Sequence, residues 1–319
     1  MKMANSLGDG MMARNKIIVA VDFEDQSIKA LKQSYHLAKL FDAELLLLYV
    51  VEDASFSKIF LSQEDYNNKI LPKAKEQLTE FEKMIKSSSP TDSNITINSL
   101  IVRGKPYEQI IQTAIDHEAI LIVMGKNSTL NKKGRKFIGS NTFNVIRDAP
   151  CPVISLKGDN YGEFSNILLP LDFTKPVKNQ IQKAVILGGY FGSKINIVSV
   201  LPSENKMNKL FKQVQLTQVK NGIEKNGLYC TTEVVESKDE PVYKTIIKHA
   251  RKIDANLIII MTQQKKNNVP FFIGSTAQEV IYESEIPVLS IIPSAKFRPG
   301  VVTSFVDPMG LMERQPKQI

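Results

Sequence analysis

Residues 121–156 read LIVMGKNSTLNKKGRKFIGSNTFNVIRDAPCPVISL. Leu121 to Met124 has the length and composition of a buried strand. Gly125 follows at once, and then a polar, lysine-rich loop with no apolar period. Gly139-Ser140 closes the loop and a helical pattern starts at about Asn141, with Ser140 placed to act as its N-cap. Cys151-Pro152 stops the helix, and Val153 to Leu156 reads as a second short buried strand. A strand, a glycine, a basic loop and a capped helix start together form a backbone suited to holding an anion, because the free N–H groups and the helix dipole both favour negative charge.

Upstream, Lys16 to Asp22 and Glu44 to Val51 read as buried strands, with a helix from Gln26 to Phe41 between them. A helix is expected over Gln63 to Lys86, with Pro72 either kinking it or marking its true start. A strand over Ile95 to Val102 and a helix from Pro106 to about His117 lead into Leu121. Strands that are apolar on both faces and alternate with helices specify a parallel α/β sheet covered on each side. The pattern then repeats. Lys16-Ile-Ile-Val-Ala-Val-Asp-Phe aligns with Asn166-Ile-Leu-Leu-Pro-Leu-Asp-Phe, and IGSNTFNVI from Ile138 aligns with IGSTAQEVI from Ile273. The chain therefore divides into a flexible leader 1–13, a first domain 14–157, a Gly/Asp/Asn-rich linker at Lys157 to Ser165, a second domain 166–293 and a tail 294–319.

The stretch 121–156 resembles the nucleotide-loop region of the universal stress protein family, whose pattern is glycine, two residues, glycine, nine residues, glycine, then Ser or Thr. Gly125 and Gly139-Ser140 match, as do the flanking VMG and APCPV. Ser128 replaces the second glycine, and ten residues separate it from Gly139. The resemblance spans roughly residues 14–293. It implies two tandem doubly wound five-stranded parallel sheets, each in the order 3-2-1-4-5 with helices on both faces. In such a sheet the ligand lies at the carboxyl ends of strands 1 and 4, where Asp22 and Gly125 fall. It also implies an intramolecular pseudo-dimer of the two domains through their last strands, Val153 to Leu156 against Val288 to Ile291.

By the same resemblance, Asp22 and Val50 belong beside an adenine and ribose, and Gly125, Ser128, Gly139, Ser140 and Asn141 beside phosphates. Lys126, Lys132, Lys133, Arg135 and Lys136 would neutralise those phosphates or simply be solvated. Each residue also has a structural role open to it: Asp22 and Ser140 as helix caps, Val50 in packing, Gly125 in a tight turn. In the second half Asp172 and Gly274-Ser275 remain, but Met261 and Gln264 stand at the first two glycine positions, where side chains would crowd a phosphate. The expected function is binding or sensing of a small phosphate-containing ligand in the first domain, ATP being the candidate, with the second domain degenerate. The alternative is a protein-interaction module in stress response that binds no nucleotide.

Composition narrows the other classes. The chain has 319 residues, 43% of them hydrophobic, and a formal net charge of +8. The basic residues are interleaved with Asp and Glu, and no nucleic-acid motif accompanies them, so no nucleic-acid partner is expected. No apolar run reaches the length of a membrane helix and the N-terminus has no secretory h-region. Two cysteines, Cys151 and Cys230, give neither a disulfide framework nor metal spacing. A cytoplasmic location is expected. His36, His117 and His249 each stand alone, expected on helix surfaces, and no nucleotide-hydrolase, dinucleotide or nucleophile-elbow motif occurs. No enzyme activity is expected.

Overall fold

The computed structural model describes residues 15–52, 62–88, 95–126, 128–130, 136–157, 162–175, 177–202, 206–262 and 273–292. The leader 1–13 and the tail 294–319 lie outside them. The first half comprises β1 (Asn15–Val21), α1 (Asp25–Phe41), β2 (Ala43–Glu52), α2 (Gln63–Asp65), α3 (Leu71–Ser88), β3 (Ile97–Gly104), α4 (Pro106–Asp116), β4 (Leu121–Gly125), β5 (Ser128–Leu130), β6 (Lys136–Ile138), α5 (Ser140–Asp148) and β7 (Val153–Leu156). The second comprises β8 (Asn166–Pro170), α6 (Lys178–Phe191), β9 (Lys194–Leu201), α7 (Lys206–Glu224), β10 (Cys230–Glu236), α8 (Val242–Lys252), β11 (Leu257–Met261), α9 (Ser275–Glu283) and β12 (Val288–Ile291).

The principal strands form one sheet of ten, in the order β10-β9-β8-β11-β12-β7-β4-β1-β2-β3. Each half is thus a parallel 3-2-1-4-5 sheet, and the two join where β12 and β7 run antiparallel. In that join Leu289 pairs with Ile154, Val288 with Ser155 and Ser290 with Val153. These pairs are equivalent under the repeat, so a local two-fold passes through Ile154 and Leu289. One apolar cluster, with residues from α1, α3, α6 and α7, covers one face, and a second, with residues from α4, α5, α8 and α9, covers the other. Both clusters run across the two halves without a break. Phe41 at the end of α1 packs on Tyr190 and Phe191 of α6, at ring separations of 5.3 and 5.8 Å.

Three local features sharpen or correct the expectations. Pro72 marks the start of the regular α-helix rather than a kink within it. It lies at the second residue of α3, directly after a π-helical segment, Tyr66–Ile70, that carries the chain on from α2. Proline at that position lacks only an N–H that a helix start leaves unpaired. The linker's end packs on both halves: Phe164 is 3% exposed and packs on Phe191, and Gln33 of α1 bonds both the N–H and the carbonyl of Gly162. His249 is buried on α8, its Nδ1 4.0 Å from Glu233, and burial lowers its pKa against the opposing pull of that carboxylate.

Because the two cores are continuous, the halves should unfold together. Ile154, 1% exposed at the local two-fold, fills the join. Ile154→Ala should cost about 2–5 kcal/mol. In urea, circular dichroism and tyrosine fluorescence should report one coincident transition for wild type and variant alike.

Candidate functional site

The switch point of the first half lies at the carboxyl ends of β1 and β4, which pair directly, Ala20 with Met124. Asp22 follows Val21, whose partner is Tyr49, so Asp22 stands beside Val50 of β2. Val50 in turn pairs with Val102 of β3. Ala20, Val50 and Val102 are half-buried against the cluster on the α4/α5 face, as are Tyr107 and Phe143. They form an apolar shelf at the edge of the sheet. Asp22 is exposed and accepts the N–H of Glu24 at 3.1 Å. That short turn places Phe23 in the left-handed region, φ 64°, with its ring against Tyr49 at 4.5 Å and Phe81 at 5.5 Å. Sequence reasoning missed this aromatic group. Burial, followed by the nearby Asp22 charge, raises the Tyr49 pKa.

Gly125 ends β4, as expected, but its lack of a side chain serves packing. A Cβ there would lie 2.5 Å from the carbonyl carbon and oxygen of Gln26 and 2.8 Å from the N of Ser27. The first turn of α1 crosses the strand end at backbone contact. In the second half Met261 holds the same place, pairing with Ile291 as Gly125 pairs with Leu156. There the helix begins three residues later in the repeat, at Lys178 rather than at the counterpart of Asp25. Met261 is half-buried at that strand end. Gln264 lies outside the described residues.

The basic loop is not featureless. Ser128 lies in β5, paired with Ile138 of β6, and the hairpin's second strand lies against α9 of the other half. Lys132, Lys133 and Arg135 lie outside the described residues. Lys126 is 3% exposed and does not face a ligand. Its Nζ donates to the carbonyl of Ile281 and, at 2.7 Å, to that of Ser284, taking up carbonyls that the last turn of α9 leaves unpaired. Burial is the main cause that lowers its pKa to about 7. Lys157 adds to this, and Glu283 and Glu285 oppose it. Nothing in a lysine within a lysine-rich loop signals this role; it arises from where α9 ends.

Ser140 is corrected as well. The cap position is Gly139, φ −51° and ψ 139°, whose carbonyl already accepts from Phe143 N at 3.0 Å, and no side chain caps the helix. Ser140 is exposed as the first helical residue and Asn141 is half-buried behind it. The start of α5 thus keeps its backbone donors, and its dipole favours an anion. Gly139 has a negative φ, so its conformation does not itself demand glycine. The start of α9 at Gly274 is built alike.

The two halves differ at the aspartate. Asp172 accepts from Thr174 N at 3.1 Å, from Thr174 Oγ1 at 2.7 Å and from Lys175 Nζ at 3.1 Å. Its pKa is lowered: desolvation, the largest influence, raises it, but the Thr174 and Lys175 contacts together outweigh that. Asp22 has the single Glu24 contact among the described residues. Among them no group of His, Cys, Asp and Glu is arranged to hold a metal, and no helix is long and apolar enough to cross a membrane.

A model of the universal stress protein family matches the chain twice, over residues 13–157 and 163–291. Universal stress protein MJ0531 of Methanocaldococcus jannaschii is 34% identical over 144 residues, 44% of this chain and 81% of that protein. The crystal structure of a universal stress protein from Archaeoglobus fulgidus DSM 4304 covers 88% of this chain and 99% of its own, at 21% identity and a TM-score of 0.70, a likeness of fold. A universal stress protein from Archaeoglobus fulgidus in complex with dAMP matches 41% of this chain and 99% of its own, at 20% identity and a TM-score of 0.34.

Two outcomes follow from this geometry. Gly125→Ala should destabilise the fold by about 1–3 kcal/mol even without ligand, because helix backbone must shift. Met261→Gly in the second half should bring no matching gain in stability, and urea midpoints compare the two. For Lys126, the folded pKa of about 7 lies below the ordinary 10.5. Between those values the unfolded chain holds the extra proton, so this group makes stability rise with pH through the window and adds no slope below it. Lys126→Met should remove that part of the slope when urea midpoints are followed from about pH 7 to pH 10.

Proposed function

Since this chain belongs to the universal stress protein family, with two family units in tandem, we propose that its first half binds one small phosphate-bearing ligand and that its second half binds none. ATP is the candidate nucleotide. The observation that carries this reading is the contrast between Asp22 and Asp172. Among the described residues, Asp22 keeps acceptor oxygen beyond its Glu24 contact beside the apolar shelf of Ala20, Val50 and Val102, where ribose hydroxyls can donate to it. Asp172 is already taken by Thr174 and Lys175. Phosphate would lie at the start of α5, against the free N–H groups of Ser140 and Asn141. Gly125 would act through the seating of α1, and Ser128 through the hairpin. The chain holds the ligand without catalysing a reaction and works in the cytoplasm as an internal pseudo-dimer, its two halves joined through β7 and β12.

A second reading, a protein-interaction module, has its own support. The hairpin and Lys126 of the first half are committed to α9 of the second, so part of the phosphate loop already serves a protein contact.

Calorimetric titration with ATP, with and without magnesium, tests the first reading. The expected stoichiometry is one per chain. Asp22→Ala should weaken binding about 10- to 100-fold, the loss of hydrogen bonds to a charged group. Asp172→Ala should leave it unchanged. No heat with the wild-type protein, or two sites per chain, would overturn the proposal.

A further inference from the structure

The turn after β1 is strained, and its counterpart in the second half is not. Phe23 has φ 64°, in the left-handed region that bulky side chains resist. Two other left-handed residues have left-handed counterparts across the repeat, Asp42 with Gly192 and Glu118 with Asp254. Phe23 has none: Phe173 follows Asp172 as Phe23 follows Asp22, yet its φ is not positive. The same dipeptide thus takes two conformations in two packing environments. The Phe23 ring lies against Tyr49 of β2 at 4.5 Å and Phe81 of α3 at 5.5 Å. The Phe173 ring lies 5.9 Å from the ammonium of Lys212 on α7. Beyond Phe23 the chain enters α1 within two residues, and the backbone of Gln26 and Ser27 closes on Gly125. Beyond Phe173 it runs on through Thr174 and Lys175, which fold back onto the Asp172 carboxylate, before α6 begins at Lys178.

We infer that Phe23 is a positioning residue for the ligand of the first half: its clamped left-handed turn holds the Asp22 carboxylate at the rim of the sheet, where a ribose hydroxyl can donate to it. The inference rests on the ligand reading above and names what sets its sugar selectivity. Among the described residues, the contact on the Asp22 carboxylate is the N–H of Glu24, which lies inside the turn that Phe23 makes. Where the carboxylate points therefore follows from that turn. Where Thr174 and Lys175 donate in the second half, the first half carries Glu24 and Asp25, whose ionised side chains only accept. The Glu24 carbonyl is itself taken, by the N–H and the Oγ of Ser27 in the first turn of α1. Asparagine would adopt the left-handed conformation readily. Phenylalanine adopts it because the Tyr49 and Phe81 rings offset the strain, so the aromatic group beside the site acts on the ligand through Asp22.

Calorimetric titration of the full chain with ATP and with 2′,3′-dideoxy-ATP is the test. The wild-type protein should prefer ATP by about 10-fold, the loss of hydrogen bonds to a charged group. Phe23→Val, whose β-branched side chain resists positive φ, should bring the two ligands to within about 2-fold while circular dichroism stays native. Phe23→Asn, which accepts the left-handed region without the ring clamp, should show the wild-type preference. A residue that merely packs would give another pattern: both substitutions remove the ring, so both would lower the urea midpoint and neither would change the ratio of the two affinities. A preference that survives Phe23→Val, or that is lost in a folded Phe23→Asn protein, overturns the inference and leaves the ligand proposal standing. So does a wild-type chain that binds the two nucleotides equally. No heat with either nucleotide overturns both.

Discussion

The antiparallel pairing of β7 with β12 is the contact on which the rest of the molecule depends. Each half taken alone would end in a short, buried strand of three apolar residues and a serine with one side unpaired, an open template for aggregation. Joining those strands turns two five-stranded sheets into one of ten and places both hazards at its centre. It also lets each apolar cluster extend over both halves, so that Phe41 and Phe191, equivalent in the repeat, meet on one side of the join. The linker is drawn in by the same packing, with Phe164 buried and Gln33 holding Gly162.

Within that symmetric frame the halves have diverged at the strand ends. Gly125 admits the first turn of α1, whereas Met261 stands at the equivalent position in the half where α6 starts later. Among the described residues Asp22 keeps acceptor oxygen to spare, while Asp172 is satisfied by its own turn. Lys126 reaches across to cap α9, whereas the residue after Met261, Thr262, is fully buried and bonds Ile291 instead. None of these changes alters the sheet, because each acts at a strand end, where the chain leaves the ladder and backbone geometry is least constrained.

Lys126 joins the two halves chemically as well as sterically. An ammonium buried against helix-end carbonyls is costly to desolvate, and the negative end of the α9 dipole offsets part of that cost. The loop between Gly125 and Gly139 is therefore anchored in the second half at its first residue and lies against α9 again at β6.

The sequence by itself determined the element types, the repeat and the strand-end positions of Asp22, Val50 and Gly125. Those features are written in local periodicity and in self-similarity, and neither needs distant partners to be read. Only the tertiary structure decided what those strand-end residues touch. Glycine at 125 reads the same whether it clears space for phosphate or for a helix; only the approach of Gln26, about a hundred residues away, shows that a helix needs that space. Serine at 140 reads as a cap until the backbone of Gly139 takes the first helical bond. Lys126 belongs by composition to a solvated loop and by fold to the core, because the carbonyls that hold it come from a helix more than 150 residues further along the chain. Contacts between remote segments carry no local period, and so the chemistry of the strand ends became legible only once the two halves were folded onto each other.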